Sequence, residues 1–276
     1  MGMTITEKIL AKAAGRECVN PGDNIWVNAN VLMTHDVCGP GTIGVFQREF
    51  GADAKVWDKE GVVIIPDHYI YTEDEKCHRN VDTLREFVKE QGLPFFYEPG
   101  TETYSGVCHV TLPEKGHIRP GEVLFGTDSH TCTHGALGMF ATGIGNTDAG
   151  FVMGTGKLLI KVPQSIKVVV EGILPERVSA KDIILKVIGD LGVDGATYCA
   201  IEFTGSTISA LSVEERMTIC NMAIEAGGKN GIIAADEKTV EYVRARTSKP
   251  FECMYSDADA QYQKVLTYKA EELVPV

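Results

Sequence analysis

The stretch EVLFGTDSHTCTHG, residues 122–135, runs from a short apolar segment straight into an Asp, a Ser and two His. A second stretch has the same layout: VVIIP, residues 62–66, leads directly into Asp67-His68. Each reads as a short buried strand followed by a polar loop. In open α/β sheets, ligands bind outside the carboxyl ends of the strands, so both loops are expected at a binding edge. The shared placement is what points to chemistry, because one Asp-His dipeptide alone is as readily a turn with a capping Asp.

The rest of the chain keeps a strand and helix rhythm. Thr4 and Glu7 have capping-box spacing ahead of KILAKAAG, predicting a first helix that stops near Gly15. IWVNANVLM (25–33) is β-rich, and Thr72 to Glu75 repeats the capping spacing before a helix whose Val81, Leu84, Phe87 and Val88 form one face up to Gly92. SIKVVVEG (165–172) reads as a strand and AKDIILKVIGDLG (180–192) as a helix. Ser212 and Glu215 form a third box, opening a helix through MTICNMAIEA to Gly227-Gly228. The alternation predicts an α/β fold with largely parallel sheets. KVPQS (161–165) lies between a helix-like stretch and a strand, which sets an expected boundary between domains at 1–163 and 164–276.

Composition narrows the function classes. The 276 residues carry a formal charge of -12, which disfavours nucleic acid as a partner because a phosphate backbone calls for a basic stripe. No apolar run reaches the roughly 20 residues of a membrane span, and the start, MGMTITEKILAKAAGRE, is amphipathic instead of signal-like, so nothing marks the chain as secreted or membrane-bound. Its eight cysteines (Cys18, Cys38, Cys77, Cys108, Cys132, Cys199, Cys220, Cys253) include no C-x-x-C pair. They read as reduced thiols, with neither a disulfide framework nor a self-contained metal site. No residue is assigned as a metal ligand.

Several residues invite chemistry on their own. An Asp beside a His can set the imidazole tautomer or raise its pKa. His109, in GVCHV, falls in a short β-like segment where a buried core histidine is the default. Asn221 and Glu225 share a helix face with Met217, Cys220 and Ile224, a pattern usual for a solvated polar face. ATGIGNTDAG (141–150) lacks the third glycine of a dinucleotide fingerprint, Asp148 standing there, and MGTGKLL (153–159) has Leu158 where a phosphate loop needs Ser or Thr. These glycines are expected to let backbone pass close beneath the active loop.

Taken together, GTDSHTCTHGALG, PDHYI, GVCHV, LMTHDVCGP and ERMTICNMAIEAGGKNG resemble the aconitase superfamily, in particular its isopropylmalate dehydratase large subunits and homoaconitases, in order from about residue 4 to the end. The resemblance implies aconitase-like three-layer α/β/α domains and hydro-lyase chemistry. It also implies a 4Fe-4S cluster, held by three cysteines with one iron open to the hydroxyl and a carboxylate of a small hydroxy acid. By motif position it implies that His68 protonates the leaving hydroxyl, with Asp67 beside the iron-bound water. His109 and Asp128 are implied as a second pair around that water, and His130 and Glu225 as a third. Ser129, His35 and Thr133 are implied to face substrate, although aconitases carry Gln at the position of His35 and Asn at that of Thr133. Asn221 is implied beside the cluster.

The family's cluster cysteines come from a Gly-Ser-Cys-Thr-like loop and a C-x-x-C, neither of which occurs in these 276 residues. The carboxylate-binding arginines and the serine base are absent too, the serine lying on a separate small subunit in two-subunit members. The expectation is the first two domains of a large subunit, inactive alone and paired in the complete enzyme with a small subunit, isomerising 2-isopropylmalate to 3-isopropylmalate in leucine biosynthesis. Within the family the alternatives are homoaconitase or a dimethylmalate or citramalate dehydratase. From another class comes a non-catalytic binding or assembly domain. The implied compartment is cytoplasm, or plastid stroma in a plant or alga.

Overall fold

A computed structural model describes residues 2–276. The elements run α1 (Ile5–Ala13), β1 (Asn24–Asn28), β2 (Val31–Thr34), α2 (Gly39–Phe50), β3 (Val62–Ile64), α3 (Glu75–Gln91), α4 (Cys108–Glu114) and β4 (Val123–Gly126). A 3-10 segment (Ser129–Leu137) leads to β5 (Phe140–Gly143), α5 (Asn146–Thr155), β6 (Lys157–Lys161), β7 (Gln164–Glu171), α6 (Ala180–Leu191) and β8 (Cys199–Thr204). After α7 (Ser206–Ala210) and α8 (Val213–Asn221), a second 3-10 turn (Met222–Ala226) precedes β9 (Asn230–Ile232), α9 (Glu237–Arg244) and β10 (Lys264–Lys269). No helix among the described residues is long and apolar enough to cross a membrane.

Two four-stranded parallel sheets organise these elements, in the orders β3-β2-β4-β5 and β10-β7-β8-β9, while β1 and β6 form a separate antiparallel pair. Side chains alternate across a strand, so each short run of the first sheet feeds two cores. Leu32, Val62, Ile64, Val123 and Phe125 face Ile43 and Phe46 of α2 and Leu84 and Phe87 of α3. Val31, Met33, Val63 and Leu124 face the opposite way, against Cys108 and Leu112 of α4 and Val243 of α9. Burial on both faces gives the three layers, and it explains why these strands read as unbroken apolar runs. In the second sheet Ile166, Val168, Ile201 and Phe203 pack on α6 and α8. Its other face carries buried Glu202, whose carboxylate accepts from Ser256 Oγ at 2.7 Å and Tyr262 Oη at 3.0 Å.

The capping boxes at Thr4 and Ser212 form as the sequence implies. At α3 the cap is Asp74, which accepts from the Lys76 N–H, and Thr72 Oγ1 accepts from the Asp74 N–H one turn earlier. Asp outcompetes Thr there because its charged oxygen is the better acceptor at a helix start. Gly92 closes the helix in the left-handed region, with φ of 64°. The segment before KVPQS is strand β6, not a helix: its Lys157–Lys161 pairs with β1. His109 lies on α4, not in a strand. Its β-branched neighbours Val107, Val110 and Thr111 favour a strand locally, but the Asp67 carboxylate accepts from the Cys108 N–H at 2.6 Å and supplies a helix cap from a distant loop.

One buried titratable group makes the fold pH-sensitive. His117 packs edge-on to Phe95, with Nε2 2.6 Å from the Tyr97 hydroxyl, and burial, helped by the Arg119 charge, lowers its pKa to about 4. The neutral imidazole is therefore the form that folds. Its contribution is complete above the unfolded value of about 6.5 and is lost as pH falls toward about 4. Urea unfolding of wild type is expected to show stability falling over this interval, and His117→Gln is expected to flatten that slope.

Candidate active site

The first sheet reverses its strand order at β2. From β2 the chain steps outward to β3, then returns to β4 on the other side. Such a switch point leaves a crevice at the carboxyl ends of the strands. Three neighbouring strands empty their loops there: β2 delivers His35-Asp36, β3 delivers Asp67-His68, and β4 delivers Asp128-Ser129-His130.

Asp128 is the centre of the arrangement. As cap of the Ser129–Leu137 segment its Oδ1 accepts from the His130 N–H at 2.7 Å, and the same oxygen lies 2.9 Å from His109 Nε2. Its Oδ2 is 3.3 Å from His68 Nε2. Burial works against ionising Asp128, but the His109 hydrogen bond and then the His130 N–H outweigh it and hold the carboxyl far below the usual range. His68 is gripped on its other side by Asp67, with Nδ1 2.6 Å from Oδ1. Burial also opposes its charge, yet the Asp67 hydrogen bond and the charges of Asp67 and Asp128 raise its pKa. The third pair joins the two sheets: His130 Nε2 lies 3.0 Å from Glu225 Oε1, on the turn before β9.

The remaining sequence candidates cluster around these pairs. Ser129 Oγ is 3.0 Å from His130 Nδ1. Thr133 is buried; its hydroxyl donates to the His130 carbonyl at 2.6 Å and accepts from Asn221 Nδ2 at 2.8 Å. Asn221 ends α8, and the chain tightens to 3-10 geometry before Glu225, so the two polar residues do not share one continuous α-helical face. His35 is only 2% exposed and stacks beneath the His68 ring at 4.0 Å between centroids. Its Nδ1 accepts from the Val37 N–H, which leaves the hydrogen on Nε2, a buried position without a partner. The glycine-rich run passes beneath the loop: a Cβ at Gly143 would lie 2.6 Å from the Asp128 carbonyl oxygen.

The chain was also compared with known proteins. The model of the Aconitase family (aconitate hydratase) matches residues 7–276. This chain belongs to the aconitase family. It is 57% identical over 282 residues to the chloroplastic 3-isopropylmalate dehydratase large subunit of Arabidopsis thaliana, covering all of this chain and 55% of that protein. It is 49% identical to a probable 3-isopropylmalate dehydratase large subunit of Methanothermobacter thermautotrophicus and 48% identical to that of Heliobacterium modesticaldum, covering all of this chain and 64% of each. The chain thus spans somewhat more than half the length of these relatives.

Aconitase-family membership implies an iron–sulfur cluster in the complete enzyme. The residues present do not fit as its ligands. All eight cysteines are free, and burial pushes the Cys108 and Cys220 thiols far above the ordinary thiol range, away from the thiolate a metal needs. The one convergent group among the described residues is His35, Asp36, Asp67 and His68. Its carboxylates are already taken by N–H donors, so the group is a hydrogen-bonded scaffold.

Two further buried residues support this site through contacts that are distant in sequence. Asp36 is fully buried, and its carboxylate accepts three consecutive backbone N–H groups, from Asp67 and His68 at 3.0 Å each and from Tyr69 at 2.7 Å. Burial opposes its ionisation, but these bonds lower its pKa. The other is His134, fully buried behind His109. Nothing within LMTHD signals the role of Asp36, because its partners lie more than thirty residues away. Asp36→Asn keeps the shape but puts an amide N–H against a backbone N–H, and is expected to cost about 2–3 kcal/mol. Urea unfolding near neutral pH measures this. Because the folded-state pKa is depressed, the loss should be full above about pH 4 and shrink as the pH falls further.

Proposed function

We propose that these residues form one wall of the active site of a hydro-lyase that isomerises 2-isopropylmalate to 3-isopropylmalate in leucine biosynthesis. The observation that carries this reading is the convergence of three histidine and carboxylate pairs at the switch point of the first sheet. The dehydratase names of relatives 57% and 49% identical to the chain support the choice of substrate. The part of this assembly contained in residues 1–276 is inactive by itself, since the chain offers no cysteine set for a 4Fe-4S cluster. We place the division between the aconitase-like domains near residue 163, just before β7 opens the second sheet.

Dehydration needs a proton for the departing hydroxyl. His68 supplies it from Nε2, because Asp67 and Asp128 stabilise its charged form while about a third of its side chain remains open to the crevice. Asp128 stays ionised through the cycle and so favours the return of a proton from water to the His68 imidazole. The His130 and Glu225 pair and the exposed Ser129 take the polar face of a hydroxy acid. His35 donates its unpartnered Nε2–H to a substrate oxygen, and Thr133 and Asn221 hold the loop in register. Tyr71 is 89% exposed, Tyr69 47% and Val107 51%, an apolar rim beside Asp67 and His68 suited to be covered by the small subunit. A homoaconitase would need the same wall, so the assay must discriminate among acids.

The complete enzyme, combined with its small subunit, is expected to turn over 2-isopropylmalate and to reject homocitrate, dimethylmalate and citramalate, followed by ultraviolet absorbance of the alkene. His68→Gln should lower kcat by about 10²–10⁴-fold with KM little changed. Loss of activity toward alkaline pH should begin above about pH 6.5, since the proton on His68 is held more tightly than usual. Turnover of another acid in preference overturns the substrate, and no turnover of any of them overturns the enzyme reading.

A further inference from the structure

We propose that His134 is a positioning residue: it hydrogen-bonds the rear nitrogen of His109 and thereby fixes which nitrogen carries the hydrogen and which way that hydrogen points. Its catalytic meaning rests on the hydro-lyase reading above; the hydrogen-bond assignment does not. His134 is 0% exposed, and its Nε2 lies 3.4 Å from His109 Nδ1, a long contact between rings tilted by 50°. On its far side His109 Nε2 is 2.9 Å from Asp128 Oδ1. An ionised carboxylate only accepts, so the His109 hydrogen sits on Nε2. In neutral His109 the Nδ1 is then bare, and the hydrogen between the two rings belongs to His134 Nε2.

The alternative assignment fails on counting. A hydrogen on His134 Nδ1 would set two bare nitrogens against each other and would bury an N–H with no acceptor, since Nδ1 has no partner. With the hydrogen on Nε2, the orphan is only a bare acceptor nitrogen. Burial drives the His134 pKa far down, so its ring stays neutral and is the donor toward a neutral His109. Nor can it swing away. The Ile233 N–H donates to the Gly135 carbonyl at 3.0 Å, and a Cβ on Gly135 would sit 1.8 Å from the Gly231 carbonyl oxygen, so the next residue is clamped between the sheets. Asp128 draws the His109 hydrogen forward, and His134 holds the ring from behind.

The test uses the 276-residue chain labelled with ¹⁵N histidine, read by imidazole NMR at mildly alkaline pH. In wild type, His109 and His134 are each expected as single Nε2–H tautomers, with the His109 Nδ1 resonance shifted upfield by an accepted hydrogen bond. A hydrogen on Nδ1 of either ring overturns the proposal without any variant. In His134→Leu the His109 Nδ1 resonance should move downfield by several parts per million while circular dichroism and thermal midpoint report a folded chain; an unmoved resonance in a folded variant overturns it. His134→Gln, which restores an N–H donor, should return most of the shift, and failure to do so also counts against it. In the complete enzyme, His134→Leu should lower kcat several-fold with KM held, and Gln should recover it; unchanged kcat overturns the catalytic role. A wild-type enzyme without dehydratase activity would sink the hydro-lyase reading and leave the NMR result standing.

Discussion

The histidines at the carboxyl edge of the first sheet meet at one ionised side chain, Asp128. A half-buried carboxylate is costly unless donors surround it. Here His109 and the His130 N–H supply those donors to one oxygen, while His68 approaches the other. The same carboxylate starts the Ser129–Leu137 segment as its cap, so the backbone that carries Ser129, His130, Thr133 and His134 is aimed by the group that also holds His68 and His109. Folding and site chemistry share one charge. Its cost in isolation is large, and its satisfaction by three histidine-bearing elements ties their positions together.

Asp36 plays the complementary part from below. Accepting three successive N–H groups, it builds the turn that presents His68 and does so with no residue of that turn supplying the acceptor. Asp67 then spends one oxygen on His68 and the other on the first N–H of α4, which carries His109. A chain of carboxylates thus runs from β2 to β3 to α4 to β4, each neutralising donors on the next element. Sheet topology makes this possible, because the reversal of strand order at β2 opens a crevice where three loops meet.

The parts legible in the sequence are those whose causes are local. Capping boxes at Thr4 and Ser212, the apolar face of α3 and its glycine stop, and the strands ahead of Asp67 and Asp128 all follow from residues within one or two turns of each other. The misread parts have distant causes. His109 sits on a helix because Asp67, forty-one positions from Cys108, caps it. Asp36 has no local signature because none of its three donors is near in sequence. Lys157–Lys161 reads as a strand only when β1 is there to pair with it. His134 stands in the quoted stretch as one of its two histidines, but nothing near it in sequence gives it a partner: packing of the turn against β9 buries it.

That packing also explains why the site belongs to both sheets. The Ser129–Leu137 segment leaves β4 of the first sheet and lies against α8 and β9 of the second. Buried Asn230, at the start of β9, donates from Nδ2 to the Met139 carbonyl and accepts from the Ala141 N–H. Two apolar cores could slide past each other with little penalty, but an amide that must satisfy a donor and an acceptor together tolerates only one register. With that register set, Glu225 arrives beside His130 and Asn221 beside Thr133, neither of which its own sheet could have placed. The polar seam therefore contributes to the site more through position than through energy: it converts the contact between two sheets into a fixed distance between a carboxylate and an imidazole.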